Sequence, residues 1–355
     1  MVVKRFRPKE GEKQKESLKE VSALLALIVN DVIMNGIQRG HIAYKNREGD
    51  YFIISEKIQG QKPDPQSNQF NDANLSQMAT VLAKLDTPDV YWNMKKPFKT
   101  PRKNSLLMHY DLKPGNVLIS PDNFGVIDFE YLDFINIPRF KVKKEKNWGI
   151  ITNYSDISGI PSNLRNFEYR TLLPYLMKLE PQEANKLFIQ YLKHKSDYYN
   201  DLSIEYPRDK HYSKIIKLQQ AHYNVLRKPT KDVIKTEAIK IQIARYLYLL
   251  STHAHGEKTE INLNEIKQYI INAQKFFENQ YNFCCNPNEK TYFMDCIELI
   301  NVWRNIIPII NSNKIEELDY YKDISGCNNN DNSNKSIKTT YTDKHIPTLD
   351  EKVAG

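Results

Sequence analysis

The feature that most constrains the fold is a change in hydrophobic period near residue 162. Beyond that point apolar residues recur at spacings of three and four in six successive stretches. These predict helices over roughly 164–179, 182–201, 211–226, 232–251, 263–281 and 289–311, with Pro229 separating two of them. Tyrosines and phenylalanines fill the apolar faces, as in a helical core. Before that point the apolar stretches are short and punctuated by turns. "VVKRF" (2–6) reads as a strand. Leu18, Val21, Leu25, Ile28 and Val32 share a helical face. Ile42, Tyr44, Tyr51, Phe52 and Ile54 flank the turn chemistry of Arg47-Glu48-Gly49-Asp50, predicting a hairpin. Leu75, Met78, Leu82 and Leu85 predict a second helix from about Asn74. Strands in the first part and helices in the second define an α+β class.

Between the two parts lies "MHYDLKPGNVLISPDNFGVIDFE" (108–130), which concentrates polar chemistry at the ends of a strand pair. Val117-Leu118-Ile119 and Phe124 to Ile127 flank the turn residues Ser120-Pro121-Asp122-Asn123. Folding back at that turn brings Asn116 and Asp128 to the same end of the hairpin. An amide oxygen and a carboxylate there suit Mg²⁺, which takes few protein oxygens and completes its shell with phosphate and water. Asp111, one loop away, is placed to accept a proton from an attacking hydroxyl. Lys113 is placed to neutralise a transferring phosphoryl group. The plainer alternative is a hairpin whose polar residues only shape its turns.

"HYDLKPGN" followed by "IDFE" resembles the catalytic and metal-binding loops of the kinase-like phosphotransferases, the aminoglycoside phosphotransferases, choline kinase and related small-molecule kinases. His109, Asp111 and Asn116 match the H-x-D-x-x-x-x-N pattern, and Asp128 matches the magnesium aspartate. Protein kinases usually carry Arg before the Asp and Gly two residues after the metal Asp. Tyr110 and Glu130 stand there instead, which favours the small-molecule kinases. The resemblance implies an ATP-dependent transfer to a hydroxyl, with His109, Asp111 and Lys113 as catalytic residues, Asn116 and Asp128 as metal ligands, and ATP and Mg²⁺ as cofactors. It implies a protein-kinase-like two-lobe fold, with a nucleotide lobe over 1–60 and a helical lobe that extends from 61 to about 320; the polar, Asn-, Lys- and Ser-rich stretch 321–355 is expected to be a disordered tail on composition.

The same resemblance assigns Lys4 to the nucleotide phosphates, paired with Glu20, and the backbone near Glu56 to Ile58 to the adenine ring. The two strands and the Gly-rich loop that precede such a lysine in the family have no counterpart before Lys4, so either the true start lies upstream or the N-terminal lobe is a shortened remnant. A degenerate nucleotide-binding module without turnover is therefore the alternative expectation. Asp86 stands where the family's helix often ends in Leu-His, and is expected to alter only a local hydrogen bond. The segment 131–165 matches no pattern, and its cluster Lys141, Lys143, Lys144 and Lys146 reads as a solvated loop.

Charge bears on the acceptor. Lys+Arg number 51 against 43 Asp+Glu, giving a net charge of +8 without any long basic block. Anionic ligands suit this balance, and no nucleic-acid motif accompanies it. The helical part is not acidic, so a neutral or anionic small-molecule hydroxyl fits better than a polycation. Cys284, Cys285, Cys296 and Cys327 form no C-x-x-C, and the adjacent pair reads as two half-buried thiols. Four scattered cysteines suggest a reducing compartment. "VSALLALIVNDVIM" carries Asp31 and is too short to span a bilayer, and the N-terminus lacks a signal-peptide core. The resulting expectation is a cytoplasmic protein.

Overall fold

A computed structural model of the chain describes residues 1–6, 40–47, 51–87, 105–109, 111–129, 132–136, 155–157, 160–206, 212–254 and 262–311. It is a mixed α+β structure, mostly helical, with small antiparallel sheets. The helix expected over 18–32, with Glu20, lies outside the described residues, as do Tyr110, Glu130, the 141–146 lysines, Cys327 and the 321–355 tail.

The N-terminal sheet has three strands, β1 (Val2–Phe6), β2 (Gly40–Lys45) and β3 (Tyr51–Ser55), with β3 in the middle. Lys4 pairs with Ile53 in this register. β3 leads through Glu56–Ile58 to Gly60 and Gln61. Gln61 exchanges two backbone hydrogen bonds with Ile119, at 2.9 and 2.8 Å. Gly60 is required at this junction: its φ is +133°, and a Cβ there would come within 2.8 Å of the Ile119 carbonyl oxygen.

Helix α1 (Asp72–Leu85) buries Leu75, Met78, Leu82 and Leu85, the face read from the sequence. It starts two residues before Asn74 because Asn71 and Asn74 form a reciprocal cap, with bonds of 3.0 and 2.9 Å. The same amides reach the next hairpin. Asn71 Nδ2 donates to the Pro121 carbonyl (3.0 Å) and Asn74 Nδ2 to that of Ser120 (3.3 Å). The cap of one element thus fixes the turn of another.

β4 (Ser105–His109) pairs with β7 (Leu132–Asn136), and β5 (Val117–Ser120) with β6 (Asn123–Val126). The second pair is the hairpin expected from the sequence. β4, β7 and the short pair β8 (Ser155–Ile157) and β9 (Ile160–Pro161) were not legible, since two to five residues set no period by themselves and no turn was recognised to join them, as Ser120–Asn123 joins β5 to β6.

The first expected helix is composite: α2 (Asn163–Phe167), a π-helical turn (Glu168–Leu172) and α3 (Leu173–Leu176). α4 (Pro181–Glu205), α5 (Ser213–Leu226), α6 (Lys231–Ala254), α7 (Leu263–Phe283) and α8 (Pro287–Asn311) follow, close to the expected bounds. Phe167 joins the two parts. Its ring meets Phe124 of β6 edge-on at 5.6 Å and Phe70, just before α1, at 5.9 Å. No helix among the described residues is long and apolar enough to cross a membrane. Of the described cysteines, Cys284 is half-buried, Cys285 is exposed and Cys296 is buried, so the adjacent pair is less buried than expected.

The helical core contains charge. Lys195 donates to Glu168 Oε1 (2.5 Å) and Glu237 Oε2 (2.6 Å), and Lys240 to Glu237 Oε1 (2.8 Å). The Tyr292 and Tyr191 hydroxyls donate to Glu237 and Glu168, and Arg165 lies 3.1 Å from Glu168 Oε2. Burial alone would raise the Glu237 carboxyl; Lys195 and Lys240 outweigh it and hold it well below the usual range. Glu168 belongs to the π-turn, so the network pins that turn to α4 and α6. Lys195→Met would remove the buried cation that Glu168 and Glu237 share, leaving excess buried negative charge, and should lower the unfolding free energy by about 3–5 kcal/mol. Urea denaturation checks this; a loss below about 1 kcal/mol would contradict it.

Candidate functional site

The site is built on the loop between β4 and β5. His109 ends β4, and α2 grips its backbone from both sides. Its N–H donates to Asn163 Oδ1 (2.7 Å), and its carbonyl accepts from Asn166 Nδ2 (2.6 Å). Asn163 is itself held. Its Nδ2 donates to Asp86 Oδ1 (2.6 Å), and its N–H lies 2.9 and 3.0 Å from the two Asp86 oxygens. The hydroxyls of Ser162 (3.2 Å) and Tyr198 (2.7 Å) also donate to Asp86 Oδ2. The local bond expected of Asp86 is therefore a buried junction joining the end of α1, the start of α2 and α4. One short acceptor with two oxygens gathers donors that are distant in sequence.

The His109 side chain is fully buried. Nδ1 accepts from the Asp111 N–H (3.2 Å), which leaves the proton on Nε2 to donate to the Ile127 carbonyl (3.0 Å). Burial lowers the imidazole pKa below its ordinary value, against the pull of the Ile127 bond. A neutral ring with both nitrogens engaged has neither left for a substrate. His109, grouped by sequence with the catalytic residues, ties the loop to the end of β6 through its ring.

Past His109 the chain turns through Asp111, Leu112 and Lys113 into a 3₁₀ turn (Pro114–Asn116) and then β5. Thr171 of the π-turn donates to the Leu112 carbonyl (2.7 Å). Asn116 Nδ2 donates to both the carbonyl and Oδ2 of Asp111, at 2.9 Å each. Those two bonds fix the amide's orientation and identify Oδ1 as the atom able to take a cation. Lys113 Nζ lies 2.6 Å from Asp111 Oδ2, and Arg170 Nη2 lies 2.6 Å from Oδ1.

The hairpin returns Asp128 to this end. Val117 pairs with Val126, and the Ile127 N–H donates to the Asn116 carbonyl (3.0 Å). Asp128 has φ +66°, the only positive φ of a non-glycine residue among the described residues. Aspartate tolerates this left-handed conformation better than most side chains, and strain of this kind is concentrated at functional sites. Its Oδ1 accepts from Lys4 Nζ at 2.7 Å, across 124 positions of sequence.

His109, Asp111, Lys113, Asn116, Asp128 and Lys4 therefore belong to one contiguous set. Glu56 and Ile58 are half-buried on the connector after β3 and outside the set just traced. Lys4, expected on phosphates, is bonded to Asp128; the pairing expected with Glu20 lies outside the described residues. Sequence reasoning missed Arg170 and Thr171, because nothing in a helical pattern marks a π-turn. It also missed Asn163 and Asn166, whose only signal is two amides spaced three apart on one helical face.

Among the described residues no group of three or more His, Cys, Asp or Glu forms a metal cluster. Asn116 Oδ1 and the Asp128 carboxylate are two hard oxygen donors. That fits a cation such as Mg²⁺, which draws most of its shell from phosphate and water. No protein-family model matches the chain, and no curated protein does either.

Asp86 has a pH signature. Burial pushes its carboxyl up from 3.8 to about 7, against the hydrogen bonds from Tyr198 and Asn163. A carboxyl raised in the folded state holds its proton there when the unfolded chain has already lost it. Its contribution is complete below about 4 and is lost as pH rises towards about 7. Stability should therefore fall across that window, by at most about 1.4 kcal/mol per pH unit from this group. Asp86→Asn should flatten that component. Urea midpoints measured from pH 4 to 8 check it; equal slopes in both proteins would refute the assignment.

Proposed function

We propose that this chain is an ATP-dependent phosphotransferase acting on a hydroxyl group of a small molecule. Asp111 is the base, Asn116 and Asp128 hold Mg²⁺, and Lys113 and Lys4 neutralise phosphate charge. On this reading the three-stranded sheet belongs to the nucleotide lobe, and the helices form the larger lobe of a protein-kinase-like fold. The observation that carries it is the convergence of Asp111–Asn116 and Asp128–Lys4 at one end of the β5–β6 hairpin.

The chemistry follows from charge and position. The acceptor oxygen attacks the terminal phosphorus, the bond to the leaving ADP oxygen breaks, and the hydroxyl proton passes to Asp111. Mg²⁺, when bound, supplies charge neutralisation on the phosphate oxygens. Asn116 keeps Asp111 in register, and His109 holds the loop against the hairpin. Lys113, half-exposed, is free to swing from Asp111 towards a phosphoryl group. Three cations, Lys4, Lys113 and Arg170, face two carboxylates, so the set favours anionic ligands before any metal binds.

A second reading has one observation in its favour. Both Asp111 oxygens and one of Asp128 are already paired with cations, which suits a module that binds nucleotide without turning it over. Turnover separates the two. ATP-dependent phosphorylation should be screened over sugars, polyols and their phosphorylated and carboxylated derivatives. Asp111→Asn should then reduce turnover by about 10²–10⁴-fold without changing the far-UV circular dichroism. Turnover unchanged by the substitution would remove Asp111 as the base. ATP binding without transfer to any acceptor would favour the module.

A further inference from the structure

The two edges of the Asp111 carboxylate are used differently. Oδ2 faces its own loop and is held by Asn116 and Lys113. Oδ1 is covered by Arg170, which comes from the π-turn. Asp111 is thus already fixed without Arg170. The guanidinium of Arg170 also lies over the Tyr248 ring of α6, 5.2 Å from its centroid. Tyr248 in turn rests on Tyr169, with ring centroids 5.4 Å apart. Arg245, one helical turn before Tyr248, donates to the Tyr169 carbonyl at 3.2 Å. Arg170 and Tyr248 therefore make a half-buried cationic and aromatic patch beside Oδ1, with Arg245 joined to it through Tyr169.

Accessibility separates Arg170 from a purely structural arginine. The Arg165 side chain, next to Glu168, is 0% exposed; that of Arg170 is 17% exposed. A base must present an oxygen to its hydroxyl, and on this edge Arg170 occupies it. An acceptor carrying a phosphate or carboxylate can take the guanidinium away in exchange, because that group matches its paired donors. A neutral acceptor would have to separate a largely buried ion pair with nothing to replace it.

We propose that Arg170, resting on Tyr248, determines acceptor specificity by exchanging Asp111 for an anionic group on the hydroxyl compound. The acceptor class is a phosphorylated or carboxylated alcohol. The acceptor assignment rests on the phosphotransferase reading; the anion site itself does not.

The test uses inorganic phosphate titrated calorimetrically into the full chain. Asp111→Asn removes the competing carboxylate and should tighten phosphate binding by roughly tenfold or more. Adding Arg170→Gln, which keeps the aliphatic stem on Tyr248, should abolish that gain. Adding Arg170→Lys instead, a milder change, should lose most of it, since an ammonium lacks the paired donors. No gain in Asp111→Asn, or a gain that survives both Arg170 variants, overturns the site. In a transfer assay the wild-type chain should prefer glycerol 3-phosphate to glycerol, and Arg170→Gln should reduce that preference by about tenfold. Equal use of the two acceptors overturns the specificity role. An Arg170-dependent phosphate site in a chain that transfers to no acceptor upholds the site and removes the phosphotransferase reading.

Discussion

Asp86 and Asn163 form the contact on which the rest of the site depends. Asp86 closes α1, and Asn163 opens α2. Three hydrogen-bond distances of 3.0 Å or less join them. From there the chain of bonds runs to the His109 backbone, through the His109 ring to Ile127, and so to Asp128. The links from Asp86 to the His109 backbone are buried, and the His109–Ile127 link is part-buried. A shift of α2 relative to α1 would move the Asp111 loop with it.

A second constraint is charge compensation. Glu168 lies at the start of the π-turn, inside the buried network with Lys195 and Arg165. Arg170 and Thr171, on the same turn, reach the loop. The packing of α4 and α6 on Glu168 is thereby coupled to the position of Asp111. Burying unpaired charge is far costlier than burying a matched set. The network therefore specifies where this turn goes more than it adds net stability.

Much of this was legible from residue pattern. The face of α1, the β5–β6 hairpin and the later helices follow from periodicity, which reports one-sided burial directly. Asn116 and Asp128 were placed at one end of the hairpin from the turn at 120–123 alone. The rest depends on contacts that periodicity does not encode. Arg170 looks like any polar position on a helix, and its proximity to Asp111 comes from the π-turn. Asp86 reads as a helix end, and its partners lie 76 to 112 positions away. His109 was read as chemistry because of its spacing, whereas both its nitrogens are spent on architecture. Lys4 is joined to Asp128, a pairing that strand register alone does not give.

On the phosphotransferase proposal, Asn116, Asp128 and Lys4 make a magnesium-dependent nucleotide site. Calorimetric titration of ATP into the full chain, with and without Mg²⁺, tests it most directly. On that proposal ATP binds, Mg²⁺ strengthens binding by roughly tenfold or more, and Asp128→Asn removes the magnesium dependence. Binding indifferent to both Mg²⁺ and Asp128, or no binding at all, would contradict it.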